Sequence, residues 1–390
     1  MSGGVDSSVA AYLLKQEGHE VIGMFMKNWH DETVTLNSDC PWLEDSNDAL
    51  LVANQLGIPF QTIDLSEEYR KRIVDYMFSE YKNGRTPNPD VLCNREIKFD
   101  LFLDIATSIG ADFVATGHYC QKEILSDKSG SKKIYRLLAG NDANKDQSYF
   151  LCQLSQSQLA KALFPIGHLK KSEVRKIANQ LNLTNANKKD SQGLCFIGKV
   201  SLPEFLQQQL PVKPGNVVAI PSNFSQTETL AFSEDFSEEQ LQKLARPVNY
   251  LMSDGKIIGT HNGAHFYTIG QRKGLHIGGF EKPLFILSTN ISENVIFVGE
   301  GENHPGLYRH ALRISKNELN WLRQDLAMQE NETRNYMVRI RYRQALAEAK
   351  LIMKEKDLFI LFKDRMKSIA AGQFAAWYCE GELLGSGVIS

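Results

Sequence analysis

Metal-ligand spacing is missing from this 390-residue chain. Its cysteines, Cys40, Cys93, Cys120, Cys152, Cys195 and Cys379, make no Cys-x-x-Cys pair and no Cys/His cluster. That excludes a zinc framework, and thiols so scattered argue against a secreted disulfide scaffold, so no structural metal and reduced cytoplasmic thiols are expected. No run is apolar for long enough to span a membrane, so no membrane partner is expected, and no signal peptide is visible. Internal repeats and low-complexity tracts are also absent. Neither sign of charge prevails, since 44 basic and 46 acidic residues leave a formal net charge of -2. A nucleic-acid partner would therefore be held by a local patch and not by the field of the whole molecule. The remaining composition, 42% hydrophobic and 23% charged, suits a soluble globular protein with core enough for about two or three domains.

The most informative stretch comes first. Ser2-Gly3-Gly4-Val5-Asp6-Ser7-Ser8 runs straight into the apolar Val9, Ala10, Ala11, Tyr12, Leu13 and Leu14. Paired glycines let the backbone turn and expose N–H groups, while the serine hydroxyls add donors where a helix dipole already favours an anion. Two adjacent glycines exceed the needs of a plain N-cap, and Asp6 would be an odd choice here unless a cation accompanies the anion. The Walker-type lysine is missing; Lys15 lies two helical turns downstream. The stretch instead resembles the pyrophosphate loop of the PP-loop ATP pyrophosphatases, which split ATP between its α- and β-phosphates. Such a loop normally follows a buried strand, and only Met1 precedes it here. An added apolar extension of about five or six residues, the usual strand length, is therefore expected to raise stability and ATP affinity.

Downstream, the hydrophobic period alternates between strand and helix. Strands are expected over 19–26, 60–65 and 112–116, and helices over 48–56, 67–81 and 101–109. This β/α alternation argues for an α/β fold with a doubly wound parallel sheet and sites at the carboxyl ends of its strands. A hairpin over 120–138 and helices over 147–163 and 172–181 complete an expected catalytic domain, 1–198. Pro203, Pro211, Pro214 and Gly215 mark a boundary to a small central domain, 199–280, with a polar insertion at 222–239 and a helix at 239–245. Short strands at 284–287, 295–298, 336–342, 347–353 and 385–389 suggest a C-terminal antiparallel β-barrel, 281–390.

Two cysteines have informative surroundings. In Thr86-Pro87-Asn88-Pro89-Asp90-Val91-Leu92-Cys93-Asn94-Arg95, two prolines stiffen a loop that delivers Asp90 and Cys93 to a helix start. The helix dipole, with Arg95 and Lys98 close by, is expected to lower the Cys93 thiol pKa. Cys195 follows a polar, glycine-containing loop, Lys189 to Gly193. For each the alternative is an inert core thiol. Together with an adenylating loop they suit replacement of a carbonyl oxygen by sulfur, which needs a sulfur carrier and a resolving thiol.

Seven motifs in order carry a closer resemblance: Ser2 to Ser8, Phe25-Met26-Lys27-Asn28-Trp29, Asn88 to Asn94, Thr116-Gly117-His118-Tyr119, Lys145-Asp146-Gln147-Ser148-Tyr149-Phe150-Leu151, Gly193-Leu194-Cys195-Phe196-Ile197 and Gly270-Gln271-Arg272-Lys273-Gly274-Leu275. They resemble the tRNA-specific 2-thiouridylase family over most of the chain. The resemblance implies a PP-loop, HUP-like catalytic domain. It also implies that Ser2, Gly3, Gly4, Val5, Asp6, Ser7, Ser8, Met26 and Gly117 hold ATP, accompanied by Mg²⁺. Asn88, Pro89 and Asp90 would meet the target uridine, and His118, Lys145, Asp146, Gln147, Arg341, Tyr342 and Gln373 would contact tRNA. The C2 oxygen of a wobble uridine would be adenylated, and Cys195, a persulfide loaded by a sulfur-donor protein, would supply sulfur. Cys93 would attack or resolve the persulfide, with Asp90 as a proton-transfer or positioning group.

Arg339, Arg341 and Arg343 alternate with Val338, Ile340 and Tyr342, the pattern of one basic strand face. Strict alternation puts Arg341 and Tyr342 on opposite faces, so both reach RNA only near a strand end, bulge or edge. The rival readings are a PP-loop ligase or amidotransferase acting on a small molecule, and a non-catalytic tRNA-binding protein.

Overall fold

The apolar period after Gly4 produces the helix Val5–Gln16, which buries Val5, Val9, Ala10 and Leu14 and closes where Gly18 adopts φ +89°. It opens a computed structural model that describes residues 1–28, 41–126, 133–189, 202–207, 209–224 and 236–390. Strand β1 (Gly23–Lys27) pairs parallel with β2 (Phe60–Asp64), and helix Pro41–Leu56 separates them in sequence. Next come β3 (Val114–Ala115), the hairpin of β4 (Cys120–Ser126) and β5 (Lys133–Ala139), and β6 (Ala162–Leu163), which pairs parallel with β3. The two parallel pairs flank residues 1–7: the Met1 ammonium donates to the Met24 carbonyl, and Gly117, just past β3, lies against Asp6 and Ser7. No ladder joins the pairs among the described residues.

Two helical runs, 66–82 and 89–108, cover this layer and share its core through Tyr69, Ile73, Met77, Val91, Cys93 and Ile97. Each widens into a π-helical stretch, Arg70–Val74 and Cys93–Leu101, a geometry that is rare and frequently found at functional sites. The single helix expected over 147–163 is in fact a 3₁₀ turn, Ser148–Leu151, a helix, Gln156–Lys161, and then β6. Ser155 divides the run: its hydroxyl accepts from the Gln158 N–H at 3.2 Å and its own N–H donates to the Gln158 side chain at 2.9 Å, a capping box that starts a new helix.

Strands β7 (Gly215–Ala219), β8 (Lys256–His261), β9 (Leu284–Asn290) and β10 (Val295–Glu300) form a four-stranded sheet in the order β8-β7-β10-β9. Thus β9 and β10, grouped by sequence with the C-terminal barrel, belong with the central strands, where Val217, Ile286, Ile296 and Val298 make one core. The remaining strands are β11 (Tyr308–Ser315), β12 (Leu319–Trp321), β13 (Thr333–Arg339), β14 (Ala347–Met353), β15 (Asp357–Lys367), β16 (Phe374–Cys379) and β17 (Glu382–Val388). They build an antiparallel sheet ordered β11-β15-β14-β13-β16-β17-β5-β4, with β12 on β17. The apolar parts of β15 and β16 are buried on both faces, so they carry no alternation for a sequence reading to detect.

The hairpin β4–β5, expected within the catalytic region, thus extends the C-terminal sheet. Buried Glu382 on β17 fixes it by accepting from Arg136 Nε at 2.7 Å and Arg323 Nη1 at 2.6 Å. Among the described residues no helix is long and apolar enough to cross a membrane.

Candidate active site

The loop at residues 2–8 is held by its own serines. The Ser2 N–H donates to Ser7 Oγ at 3.1 Å, and the Ser7 and Ser8 hydroxyls each donate to the Gly4 carbonyl at 3.0 Å. Gly3 has φ +70°, and a Cβ there would sit 2.3 Å from the Asp45 carbonyl oxygen, so only glycine fits. Behind the loop, buried Asn185 donates through Nδ2 to the Gly3 carbonyl at 3.0 Å and to Ser8 Oγ at 2.9 Å, while its Oδ1 is buried with no hydrogen-bond partner among the described residues. The Asp6 carboxylate accepts from Tyr119 and Lys171. The Asp6 carboxylate and the half-buried Ser7 hydroxyl are oxygen donors, the chemistry that suits a hard cation such as Mg²⁺ beside phosphates.

Residues 116–119 connect this loop to the helix that carries Cys93. Gly117 lies against the backbone of Asp6 and Ser7, and the Tyr119 hydroxyl donates to Asp6 Oδ1 at 2.8 Å. The ring of His118, between them, packs on Phe99 and Phe164 and bonds Thr116 Oγ1 at 2.7 Å. Burial, reinforced by the Lys98 charge, holds this imidazole well below its ordinary pKa, so it is neutral. His118 is thus an interior, hydrogen-bonded residue in the free protein, not a surface contact. Gln147 is strapped to the same segment: its Oε1 accepts from the Tyr119 N–H at 3.1 Å and its N–H donates to the Tyr119 carbonyl at 2.9 Å. Lys145, two residues earlier, is half-buried, and Met26 is half-buried on β1 against the main core.

Asn88 caps the Cys93 helix by accepting the Val91 N–H at 3.3 Å, with Pro89 at the first helical position. Asn94 Nδ2 ties the Asp90 and Phe150 carbonyls together at 3.0 and 3.1 Å. The expectation of a lowered Cys93 pKa is overturned, because burial pushes the thiol up to about 12, with Lys98 opposing and Asp90 reinforcing the shift. Cys93 sits past the first turn, where the dipole fades, and the Arg95 guanidinium is engaged by Glu96 and Gln153. Burial likewise raises the thiols of Cys120 and Cys152, whereas Cys379 is exposed. Of these four, only Cys379 is expected to react with iodoacetamide in the native protein at about pH 8, with Cys93 labelling rising at higher pH as thiolate forms. Peptide mapping by mass spectrometry checks this, and early Cys93 modification would contradict it. Cys195 lies outside the described residues.

The C-terminal sheet reaches the site by bracing it. The Thr86 N–H donates to the Ala371 carbonyl at 2.8 Å, and Gln373 Nε2 donates to the Thr86 and Pro87 carbonyls at 2.9 and 3.2 Å. Gln373 thus holds the loop leading to Asn88 and Asp90. The basic strand face is also corrected. Strand β13 stops at Arg339, which pairs with buried Asp146 at 3.0 Å over the Tyr378 ring, and Arg341 Nη2 donates to the Ile269 and Ser368 carbonyls, both at 2.9 Å. Only Arg343 of the three is exposed. Tyr342, beyond the strand end, packs against Phe150 with the rings tilted by 43° and their centroids 4.4 Å apart. Arg341 and Tyr342 therefore escape strict alternation, as a strand end allows.

Comparison with known proteins decides the family. A family model described as "tRNA methyl transferase HUP domain" matches residues 1–199, a "tRNA methyl transferase PRC-barrel domain" matches 234–300, and an "Aminomethyltransferase beta-barrel domain" matches 310–389. The protein named tRNA-specific 2-thiouridylase MnmA from Christiangramia forsetii is 59% identical, over all of this chain and 98% of its own. The protein of that name from Flavobacterium johnsoniae is also 59% identical, with 98% of its length covered, and that from Karelsulcia muelleri is 46% identical, with 97% covered. The chain belongs to the tRNA-specific 2-thiouridylase family.

For this member of the family, the structure adds residues that the sequence did not single out. Asn185 and Lys171 each lie more than 100 positions from the loop residue they hold. Lys188 pairs with Asp45 and Asp48 on the helix whose Asp45 carbonyl abuts Gly3. No local pattern marks such contacts, since they exist only once the chain is folded. The close approach of Gly117 has a measurable consequence. In Gly117→Ala, Cβ would stand 2.8 Å from the Asp6 carbonyl carbon and the Ser7 nitrogen. Overpacking against backbone is expected to cost roughly 1–3 kcal/mol of stability and to weaken ATP binding. Unchanged urea midpoint and unchanged ATP affinity would contradict this.

Proposed function

We propose that this chain is a tRNA-uridine 2-sulfurtransferase acting in the cytoplasm, which converts the wobble uridine of tRNA to 2-thiouridine at the expense of ATP. The observation that supports it most is that residues 116–119 touch the phosphate loop through Gly117 and Tyr119 and the Cys93 helix through His118. One short segment links adenylation to thiol chemistry. ATP rests on Ser2, Gly3, Gly4, Val5, Asp6, Ser7 and Ser8, with Met26 and Gly117 beside it, and the exposed N–H groups of the helix start receive its phosphates. Asp6 would hold Mg²⁺, which would supply neutralising charge to the polyphosphate.

Asn88, Pro89 and Asp90 present the uridine. Its C2 oxygen bonds to the α-phosphorus as the bond to the bridging oxygen breaks, and pyrophosphate leaves. The terminal sulfur of a Cys195 persulfide, loaded by a sulfur-donor protein, adds to C2, and AMP departs with the former C2 oxygen. The Cys93 thiolate then attacks Cys195 Sγ. The sulfur–sulfur bond to the base breaks, 2-thiouridine is released and a Cys93–Cys195 disulfide remains, which an external dithiol reduces. Because Cys93 is a buried thiol in the free protein, tRNA engagement must give access to it, and Asp90, whose charge bears on that thiol, accepts its proton. Lys145, Gln147 and Tyr342 contact the RNA, whereas His118, Asp146, Arg341 and Gln373 act through the segments they brace.

The deciding experiment is mass analysis of nucleosides from tRNA incubated with the protein, ATP, a low-molecular-weight persulfide as the sulfane-sulfur donor and a dithiol. 2-Thiouridine is expected with ATP and not without it. AMP formation without tRNA and no thiolated nucleoside would favour a small-molecule ligase instead.

A further inference from the structure

Residues 2–8 contain no lysine, and the one that follows in the chain, Lys15, donates to the Leu56 carbonyl. A lysine distant in sequence occupies the loop instead. Lys171 Nζ lies 2.7 and 2.8 Å from the two carboxylate oxygens of Asp6, and its side chain is 13% exposed. Its position is built. The Lys171 N–H donates to Asp142 Oδ2 at 2.9 Å, and the helix it opens, Lys171–Gln180, packs on Val5–Gln16 through Val9, Val174 and Ala178. The N-terminus of helix Val5–Gln16, whose first turn carries Asp6, and the Lys171 ammonium therefore meet at a single carboxylate, an excess of positive potential where a polyphosphate would lie. Asp6 itself repels such a ligand unless its charge is met by another cation. An ammonium on a flexible four-carbon stem can exchange one oxyanion for another by side-chain rotation, without moving its helix.

We propose that Lys171 is the phosphate-facing cation of this loop: held on Asp6 in the free protein, it moves to a β- or γ-phosphate oxygen when ATP binds. This rests on the reading that residues 2–8 bind ATP. The test is equilibrium binding of α,β-methylene-ATP and of AMP to the full chain, with and without Mg²⁺, for the unaltered protein, Lys171→Met, Lys171→Arg and Asp6→Asn. In Lys171→Met the analogue is expected to bind about 10- to 100-fold more weakly, the range for a lost charge-assisted bond, while AMP, lacking those phosphates, changes by less than about 2-fold. Lys171→Arg, which retains the charge, is expected to recover most of the analogue affinity. Asp6→Asn releases the ammonium and removes the repulsion, so it is expected to bind the analogue more tightly than the unaltered protein when Mg²⁺ is absent. Equal losses for analogue and AMP would mark Lys171 as merely structural, and unaltered affinities in Lys171→Met would overturn the proposal outright. If the unaltered protein bound neither nucleotide, the ATP-loop reading would fail first, a separate result.

Discussion

Replacing Cys195 by serine is expected to abolish 2-thiouridine formation, by on the order of 10³-fold or more as for loss of a covalent nucleophile, while tRNA-dependent pyrophosphate release continues. The two halves of the reaction use different groups. Adenylation needs the phosphate loop and a presented uridine, neither of which involves a thiol, whereas a serine at 195 cannot carry sulfane sulfur. Cys93→Ser is expected to lose product to a similar degree but to accumulate sulfane sulfur on Cys195, since loading precedes resolution. Nucleoside mass spectrometry, a pyrophosphate assay and cyanolysis of the protein read the three quantities. Thiolation persisting in the Cys195→Ser protein would remove that residue from the persulfide role. The burial of Cys93 sharpens the expectation: a thiol raised to about 12 is a poor nucleophile at rest, so its reaction with Cys195 should depend on bound tRNA.

Asp146→Ala is expected to cost roughly 3–5 kcal/mol of stability, the penalty for leaving one partner of a buried ion pair. Both groups are enclosed, with Asp146 5% and Arg339 11% exposed along their side chains. The carboxylate also receives the N–H groups of Gly140 and Ser148 at 3.2 and 3.1 Å. Removing it therefore leaves two backbone donors and a guanidinium without an acceptor. Asp146→Asn keeps an oxygen for the N–H groups and should lose less. Urea unfolding measures the stability, and tRNA binding at a temperature where each variant is folded separates the roles. A normal unfolding free energy with lost RNA affinity would make Asp146 a direct RNA contact and not a brace.

Much of the site was legible because its signals are local. The glycine pair with Asp6 and two serines identified a phosphate loop, since turn, exposed N–H groups and helix start all lie within consecutive residues. The capped helix at Asn88 and Pro89 was readable for the same reason, as were most helices and the parallel β/α region. Strands β15 and β16 were not, because burial on both faces erases the two-residue period. The single helix expected over 147–163 failed for a local reason too, since a capping box inside an apolar run looks like helix on either side. The grouping of β9 and β10 with the C-terminal strands failed because pairing partners lie far along the chain.

Electrostatics was the least legible. Arg95 near Cys93 in sequence suggested a stabilised thiolate, yet side-chain direction gave that guanidinium to Glu96 and Gln153 and burial decided the pKa. Arg339, Arg341 and Arg343 suggested one basic face, yet each has a different environment. By itself the sequence determined the chemistry available: an adenylating loop, a rigid loop bearing Asp90 and Cys93, a second cysteine at 195, and their family. Only the tertiary structure decided how these are held: Lys171 on Asp6, Asn185 behind Gly3, Gln373 and Arg339 reaching from the C-terminal sheet. Charge pairing and burial act across space at a few ångströms, and residues more than a hundred positions apart come that close only in the fold.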